Sequence, residues 1–167
     1  LPLRGLSRAA VPRLHGNRTL GLRRLSTTDL EQVLACRRTD RKSSIMRDLK
    51  DRVAVVTGAA SGIGRATALQ FAREGMDVAL ADIDDAGMER VAAEIGALNR
   101  RTITVHTDVS RPEAIQHLLE QTIAQLGRCD LAFNNAGIMH AGSLLDASDK
   151  DWQRIIDIDL WGVIHGC

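Results

Sequence analysis

The 167-residue chain has no tyrosine, two Phe and two Trp. Chemistry that needs a phenolic proton donor is therefore excluded from these residues. So few aromatics also leave little on which nucleic-acid bases could stack, so no nucleic-acid partner is expected. The three cysteines, Cys36, Cys129 and Cys167, show no C-x-x-C or metal-ligand spacing, a usage that suits a reducing compartment. His106, His117, His140 and His165 have no zinc spacing, and no G-x-S-x-G nucleophile elbow is present, so no metal is expected. His140, in a loop, is read as a surface residue. No apolar run approaches the roughly 18–20 residues that cross a bilayer, and no membrane partner is expected.

No acidic residue precedes Asp29. Residues 1–47 carry eleven Lys+Arg against three Asp+Glu, a net +8, while residues 48–167 carry eleven against eighteen, a net −7. This shift divides the chain near Met46 into a basic segment, 1–45, and a domain, 46–167. The first residue is Leu, so the segment is expected to be upstream sequence, with Met46 the natural start. The alternative is a mitochondrial transit peptide, which its Arg-rich, acid-poor composition also fits, with Arg23-Arg24-Leu25-Ser26-Thr27 as a processing site. Either origin predicts disorder over 1–45. The expected location is cytoplasmic, or the mitochondrial matrix if 1–45 is a transit peptide.

The domain is organised around Thr57-Gly58-Ala59-Ala60-Ser61-Gly62-Ile63-Gly64. A buried parallel strand, Val53–Val56, precedes it, and a helix over Arg65–Glu74, closed by Gly75, follows. Such a crossover binds dinucleotides. Gly58 turns the chain off the strand, the bare Gly62 lets a pyrophosphate reach the backbone, and Gly64 lets the helix approach the strand. The helix start offers free N–H groups and a partial positive charge to phosphate. An ordinary tight strand–helix turn is the plain alternative.

A β-α-β-α rhythm continues through strands at Asp77–Asp82, Thr102–His106 and Leu131–Asn134. Asp84 or Asp85 is expected to cap a helix with Met88, Val91, Ala92 and Ile95 on its apolar face. Ser110-Arg111-Pro112-Glu113 reads as a capping box for a helix burying Ile115, Leu118, Leu119 and Ile123 and stopping at Gly127. Ser148 and Asp151 open the last helix. Right-handed crossovers predict a Rossmann-type doubly wound α/β fold with a parallel sheet in order 3-2-1-4, truncated after about four strands, its ligand crevice beyond strands one and four. Asp82, at the end of strand two, can accept hydrogen bonds from ribose hydroxyls.

The glycine motif in this setting, with Asn134-Asn135-Ala136-Gly137 after strand four, resembles the classical short-chain dehydrogenase/reductase family, over Asp48–Cys167. The resemblance implies cofactor binding by Gly58, Ser61, Gly62, Ile63, Gly64, Asp82, Asp108, Val109, Asn135, Ala136 and Gly137. Asp108 would contact adenine by its side chain and Val109 by its backbone, and the two asparagines would line the crevice beside the cofactor ribose. NADP-using members carry a basic residue where this chain has Ser61 or Ile83, so NAD is expected, with NADP the lesser choice. The implied activity is hydride transfer between NAD and a small alcohol or carbonyl compound, by a protein that is a homo-oligomer at full length. A non-catalytic dinucleotide-binding module is the alternative. A methyltransferase would also place an acid after strand two, but gives no reason for Asn-Asn-Ala-Gly.

Asp159 matches the family's catalytic asparagine. On a 100° wheel it falls with Ile155, Ile156 and Val163, an apolar stripe where an unpaired carboxylate is costly, the plain alternative being a helix acid with a local partner, while Asp157 falls with Gln153, Arg154 and Trp161 and is expected to pair with Arg154. The family's Ser and Tyr-x-x-x-Lys are absent, so the chain reads as the N-terminal portion of a longer enzyme. It is expected to be inactive alone, to expose strand four as a sheet edge, and to associate through Ile155, Ile156, Val163 and Ile164.

Overall fold

The structure, a computed structural model, describes residues 48–140, 142 and 146–167. The expected disorder of 1–45 lies outside the described residues.

Four parallel strands form one sheet in the order β3-β2-β1-β4. They are β1 (Val53–Thr57), β2 (Asp77–Asp82), β3 (Thr102–His106) and β4 (Leu131–Phe133). The intervening helices are α1 (Gly62–Arg73), α2 (Asp85–Gly96) and α3 (Pro112–Leu126). Successive strand side chains point to opposite faces, and the two cores follow that period. Val56, Val78 and Leu80 pack under α1 and α2 with Ala68, Leu69, Met88, Val91 and Ile95. Val53, Val55, Ala79, Ala81 and Val105 pack under α3 with Leu118 and Leu126. Burying a Leu, Ile or Met fully, as at Leu80, Met88 and Ile95, is worth about 1.5–3 kcal/mol each. This covering of both faces is the doubly wound arrangement.

Local signals set the helix ends. Asp84, not Asp85, caps α2, its side chain accepting from the Gly87 N–H. Gly75 and Gly127 follow α1 and α3 at φ +88° and +89°, a left-handed conformation that favours glycine. Ser110 does not cap α3. Its hydroxyl donates to Asp108 Oδ1 at 2.6 Å, and Arg111 takes the cap position without a side-chain bond. The buried face of α3 also differs from the expected one. Leu118, Thr122 and Leu126, spaced four apart, form a single row, and Leu119 and Ile123 stand about 100° round the helix from it, exposed. Thr122 is tolerated because its hydroxyl donates to the Leu118 carbonyl at 2.7 Å.

The last helix begins as α4 (Asp149–Ile155), passes through a π-helical stretch (Ile156–Trp161) and ends as α5 (Gly162–His165). Ser148 and Asp151 form its capping box, as their spacing predicts. Gly162 lies against Val109, where an added Cβ would come within 2.8 Å of Val109 Cγ2, and Gly166 lies against the Asn134 side chain. Small residues at these two positions let the helix seat on the loops after β3 and β4. Ile156, Leu160, Trp161, Val163 and Ile164 stay exposed. Among the described residues, no helix is long and apolar enough to cross a membrane.

Asp130 ties the start of β4 to the start of β1. Its carboxylate accepts from the Val53 N–H at 2.9 Å, from Arg52 Nη1 at 3.2 Å and from Arg128 Nη2 at 2.6 Å. Burial works against its ionisation, but the Arg128 hydrogen bond, the Val53 N–H and the two arginine charges outweigh burial and hold the carboxyl below the ordinary 3.8. A folded value below the unfolded one gives stability that is present above pH 3.8 and lost as pH falls through the folded value. Asp130→Asn should cost about 1–3 kcal/mol at neutral pH. In urea titrations at several pH values, that difference should shrink below the ordinary carboxylate range.

Candidate functional site

Beyond the carboxyl ends of β1, β2, β3 and β4 lies a cleft of about 1060 Å³. Its walls come from the glycine turn (Gly58, Ser61, Gly62, Ile63), the end of β2 (Asp82, Ile83), the loop after β3 (Asp108, Val109), the loop after β4 (Asn135, Ala136, Gly137, Ile138) and the last helix. Ten of the eleven expected cofactor residues line it. Gly64 does not, because it is buried beneath the turn.

The three motif glycines differ in their reasons. Gly58 has φ +67°, and an added Cβ would lie 2.8 Å from Asn135 Nδ2 and 2.9 Å from Ala136 Cα. At Gly64 an added Cβ would collide with the carbonyl oxygen of Gly58. Gly62 has φ +54° and nothing within 4 Å of its missing Cβ, so it faces open cleft at the start of α1. Ser61 is the helix cap residue, yet its side chain makes no capping bond, and it is exposed. The turn therefore presents uncapped N–H groups and a hydroxyl to the cleft.

Asp82 does more than the sequence suggests. Oδ2 accepts from the Ala60 N–H at 2.9 Å, and Oδ1 from the Ile83 N–H at 2.8 Å and the Asp84 N–H at 3.1 Å. The carboxylate braces the glycine turn against β2. A carboxylate offers about four acceptor sites, so one remains open, on Oδ2.

Thr57 was not singled out by sequence. It is 4% exposed, and its hydroxyl oxygen accepts from the N–H groups of Asn135 at 3.0 Å and Ala136 at 3.1 Å. Asn135 Nδ2 in turn donates to the Thr57 carbonyl at 3.0 Å. These bonds dock Asn135-Ala136-Gly137 onto the turn. A hydroxyl residue closing an otherwise apolar strand was the available signal. Thr57→Val should leave two N–H groups without acceptors and cost about 2–4 kcal/mol by chemical denaturation, with Thr57→Ser close to the parent.

Asp108 accepts from the Ser110 N–H at 3.0 Å as well as its hydroxyl, and is half-exposed on the cleft. Val109 is buried, and its carbonyl accepts from His165 Nδ1 at 3.2 Å, which makes Nδ1 the protonated nitrogen.

Asp159 departs from its expected setting. It is exposed, is not part of the cleft wall, and is not unpaired: Oδ1 accepts from the Ile138 N–H at 2.9 Å. The π-helical stretch widens the turn, so a 100° wheel misplaces residues from Ile156 onward. Asp157 does line the cleft, but its partner is Gln153 Nε2 at 2.7 Å, not Arg154. Asp151 is held below the ordinary carboxylate range by hydrogen bonds from the Ser148 side chain and backbone. Among the described residues, no group of His, Cys, Asp and Glu could hold a metal ion.

A parallel sheet in this order, with a glycine turn opening the first helix and a cleft at the strand ends, defines a nucleotide-binding α/β domain. The family is settled by comparison. Residues 52–167 match the short chain dehydrogenase family, and the chain belongs to it. It is 44% identical over 117 residues to the probable oxidoreductase EphD of Mycobacterium tuberculosis, covering 70% of this chain and 20% of that protein. It is 40% identical over 114 residues to meso-2,3-butanediol dehydrogenase of Serratia marcescens, covering 68% and 45%. Among solved structures, it is similar to a short chain dehydrogenase/reductase from Burkholderia phymatum in complex with NAD, with TM-score 0.68, 38% identity and coverage of 71% and 42%. A short chain dehydrogenase from Burkholderia cenocepacia in complex with NADP gives TM-score 0.68, 34% identity and coverage of 71% and 49%. The chain thus spans about a fifth to a half of the length of these relatives.

Proposed function

We propose that the cleft binds a nicotinamide dinucleotide, NAD in preference to NADP, and that the protein is an oxidoreductase exchanging hydride between NAD and a small alcohol or carbonyl compound. The observation that carries this reading is the glycine cradle, where two positions exclude a Cβ and the third faces open space at an uncapped helix start. When bound, the dinucleotide would supply the hydride donor or acceptor. Ser61, Gly62 and Ile63 would hold its pyrophosphate, and the open Oδ2 site of Asp82 would take one adenosine ribose hydroxyl. Asp82 would also repel a phosphate on that ribose, and neither Ser61 nor Ile83 offers a compensating cation. Asp108 and Val109 would flank the adenine. Asn135, Ala136 and Gly137 would lie beside the nicotinamide ribose.

Asp159 would act as a positioning residue, since its carboxylate holds the Ile138 backbone at the edge of the cleft. An acceptor-only side chain suffices for that bond, so an asparagine-like donor is not needed there. The exposed apolar side chains of the last helix support self-association. The division into segment 1–45 and domain 46–167 rests on charge, and a cytoplasmic or mitochondrial location remains part of the same proposal.

The same cleft admits a second reading, a dinucleotide-binding module without catalysis. The 167-residue chain should bind NADH, seen as enhanced and blue-shifted nicotinamide fluorescence, yet oxidise no alcohol with NAD. Failure of the folded chain to bind NADH would contradict both readings. Turnover by this chain would contradict its expected inactivity alone. Activity of the complete gene product separates the oxidoreductase from the silent module.

A further inference from the structure

Six residues of the last helix region line the cleft: Lys150, Asp151, Gln153, Arg154, Asp157 and Ile158. Their polar groups are unevenly used. Asp151 Oδ2 is taken by the N–H and hydroxyl of Ser148, and Asp157 Oδ1 by Gln153. The other two cleft carboxylates are likewise engaged, Asp82 by three N–H groups and Asp108 by Ser110. Lys150 and Arg154 make no hydrogen bond or ion pair with any described residue, although both are exposed on the cleft wall; Lys150 acts on its neighbour Asp151 through charge alone. They are four apart in α4, so they share one helix face. Of the acids nearest them in the chain, Asp149, Asp151 and Asp157, none makes an ion pair with either cation among the described residues, and Asp151 and Asp157 each have one carboxylate oxygen engaged elsewhere. Arg154 in particular presents an unused planar fork suited to a carboxylate or phosphate.

We propose that Lys150 and Arg154 form an anion-recognition pair that selects a carbonyl or alcohol substrate bearing a carboxylate or phosphate group. The proposal rests on the reading of this cleft as the dinucleotide and carbonyl site, and it adds the substrate's charge. The cradle for the dinucleotide phosphates is built from the backbone around Gly62, so the pair is not required for that role. The last helix is anchored to Ile138 through Asp159, which places Lys150 and Arg154 on the helix that borders the Asn135–Ile138 edge of the cleft.

The test compares 2-oxobutanoate with 2-butanone, an anionic and a neutral carbonyl compound of matched length, each titrated into the NADH-loaded chain and read by saturation-transfer NMR. The unaltered protein should prefer the acid about fivefold or more, the scale that two exposed charge pairs support. Phosphonoacetone, titrated in the same way, distinguishes a phosphate-type from a carboxylate-type preference. The double variant Lys150→Gln, Arg154→Gln should lose the preference while binding NADH as before, and Lys150→Arg should keep it. NADH binding with no preference for either acid overturns the proposal alone. Weakened NADH binding in the double variant would reassign the pair to the dinucleotide phosphates and also overturn it. Failure of the unaltered chain to bind NADH sinks the dinucleotide reading, and this proposal with it.

Discussion

Gly64→Ala should prevent stable folding, whereas Gly62→Ala should fold and lose dinucleotide affinity. The two glycines lie two residues apart in one motif, yet their surroundings differ. A Cβ at Gly64 meets the Gly58 carbonyl, which is backbone and cannot rotate away, and Asn135 Nδ2 at 2.7 Å. Relief would require moving α1 away from the turn, at about 3 kcal/mol or more. A Cβ at Gly62 meets nothing within 4 Å. Its cost is the left-handed backbone, φ +54°, about 1–2 kcal/mol. The new methyl group would project into the space assigned to pyrophosphate. NADH affinity should then fall tenfold or more, about 1.4 kcal/mol, with the thermal transition still cooperative. Retained affinity in a folded Gly62→Ala variant would remove the turn from the phosphate site.

Exchanging Asp82 and Ile83 for Asn and Arg should shift the ratio of NAD to NADP affinity about 10- to 100-fold toward NADP, or about 1.4–2.7 kcal/mol. The structure selects Asn, not Ala. Asp82 braces the turn through Ala60, which is 7% exposed, and deleting the acceptor would orphan that N–H. Asn keeps one acceptor oxygen and removes the negative charge that opposes a 2′-phosphate. Arg at position 83 starts from a side chain 63% exposed at the cleft edge, so a guanidinium can reach the ribose without displacing core. An unchanged affinity ratio in the double variant would separate Asp82 from cofactor choice and leave it only its bracing role.

The strand order and the position of the cleft were legible in the sequence because each rests on short-range signals. Apolar runs set the strands, and Gly75, Gly127 and the Ser148–Asp151 box set helix ends. The cleft follows from the strand ends, so Asp82, Asp108 and Asn135 could be placed together without coordinates. What escaped depends on competition between partners. Ser110 could cap α3 or bind Asp108, and the carboxylate two residues before it won. Asp157 could pair with Arg154 or Gln153, and took the amide. Thr57 read only as the first residue of the glycine motif, while its role depends on a loop 78 residues later. The π-helical stretch has no local residue signature here, and Ile156 and Val163, the apolar residues that a regular helix would group with Asp159, are themselves exposed. Leu119 and Ile123 read as core from hydropathy alone, although the row that meets the sheet passes through Thr122.

The central claim is that the glycine turn and the Asn135–Gly137 loop together hold a nicotinamide dinucleotide. Hydrogen–deuterium exchange of the 167-residue chain, with and without millimolar NAD, tests it most directly and tolerates self-association. The account predicts slowed exchange in peptides covering Gly58–Gly64, Asp82–Ile83, Asp108–Val109 and Asn135–Gly137, with Leu119 and Ile123 unaffected. A chain whose β1 and β2 amides are well protected, yet whose exchange at the glycine turn is unchanged by NAD, would contradict it.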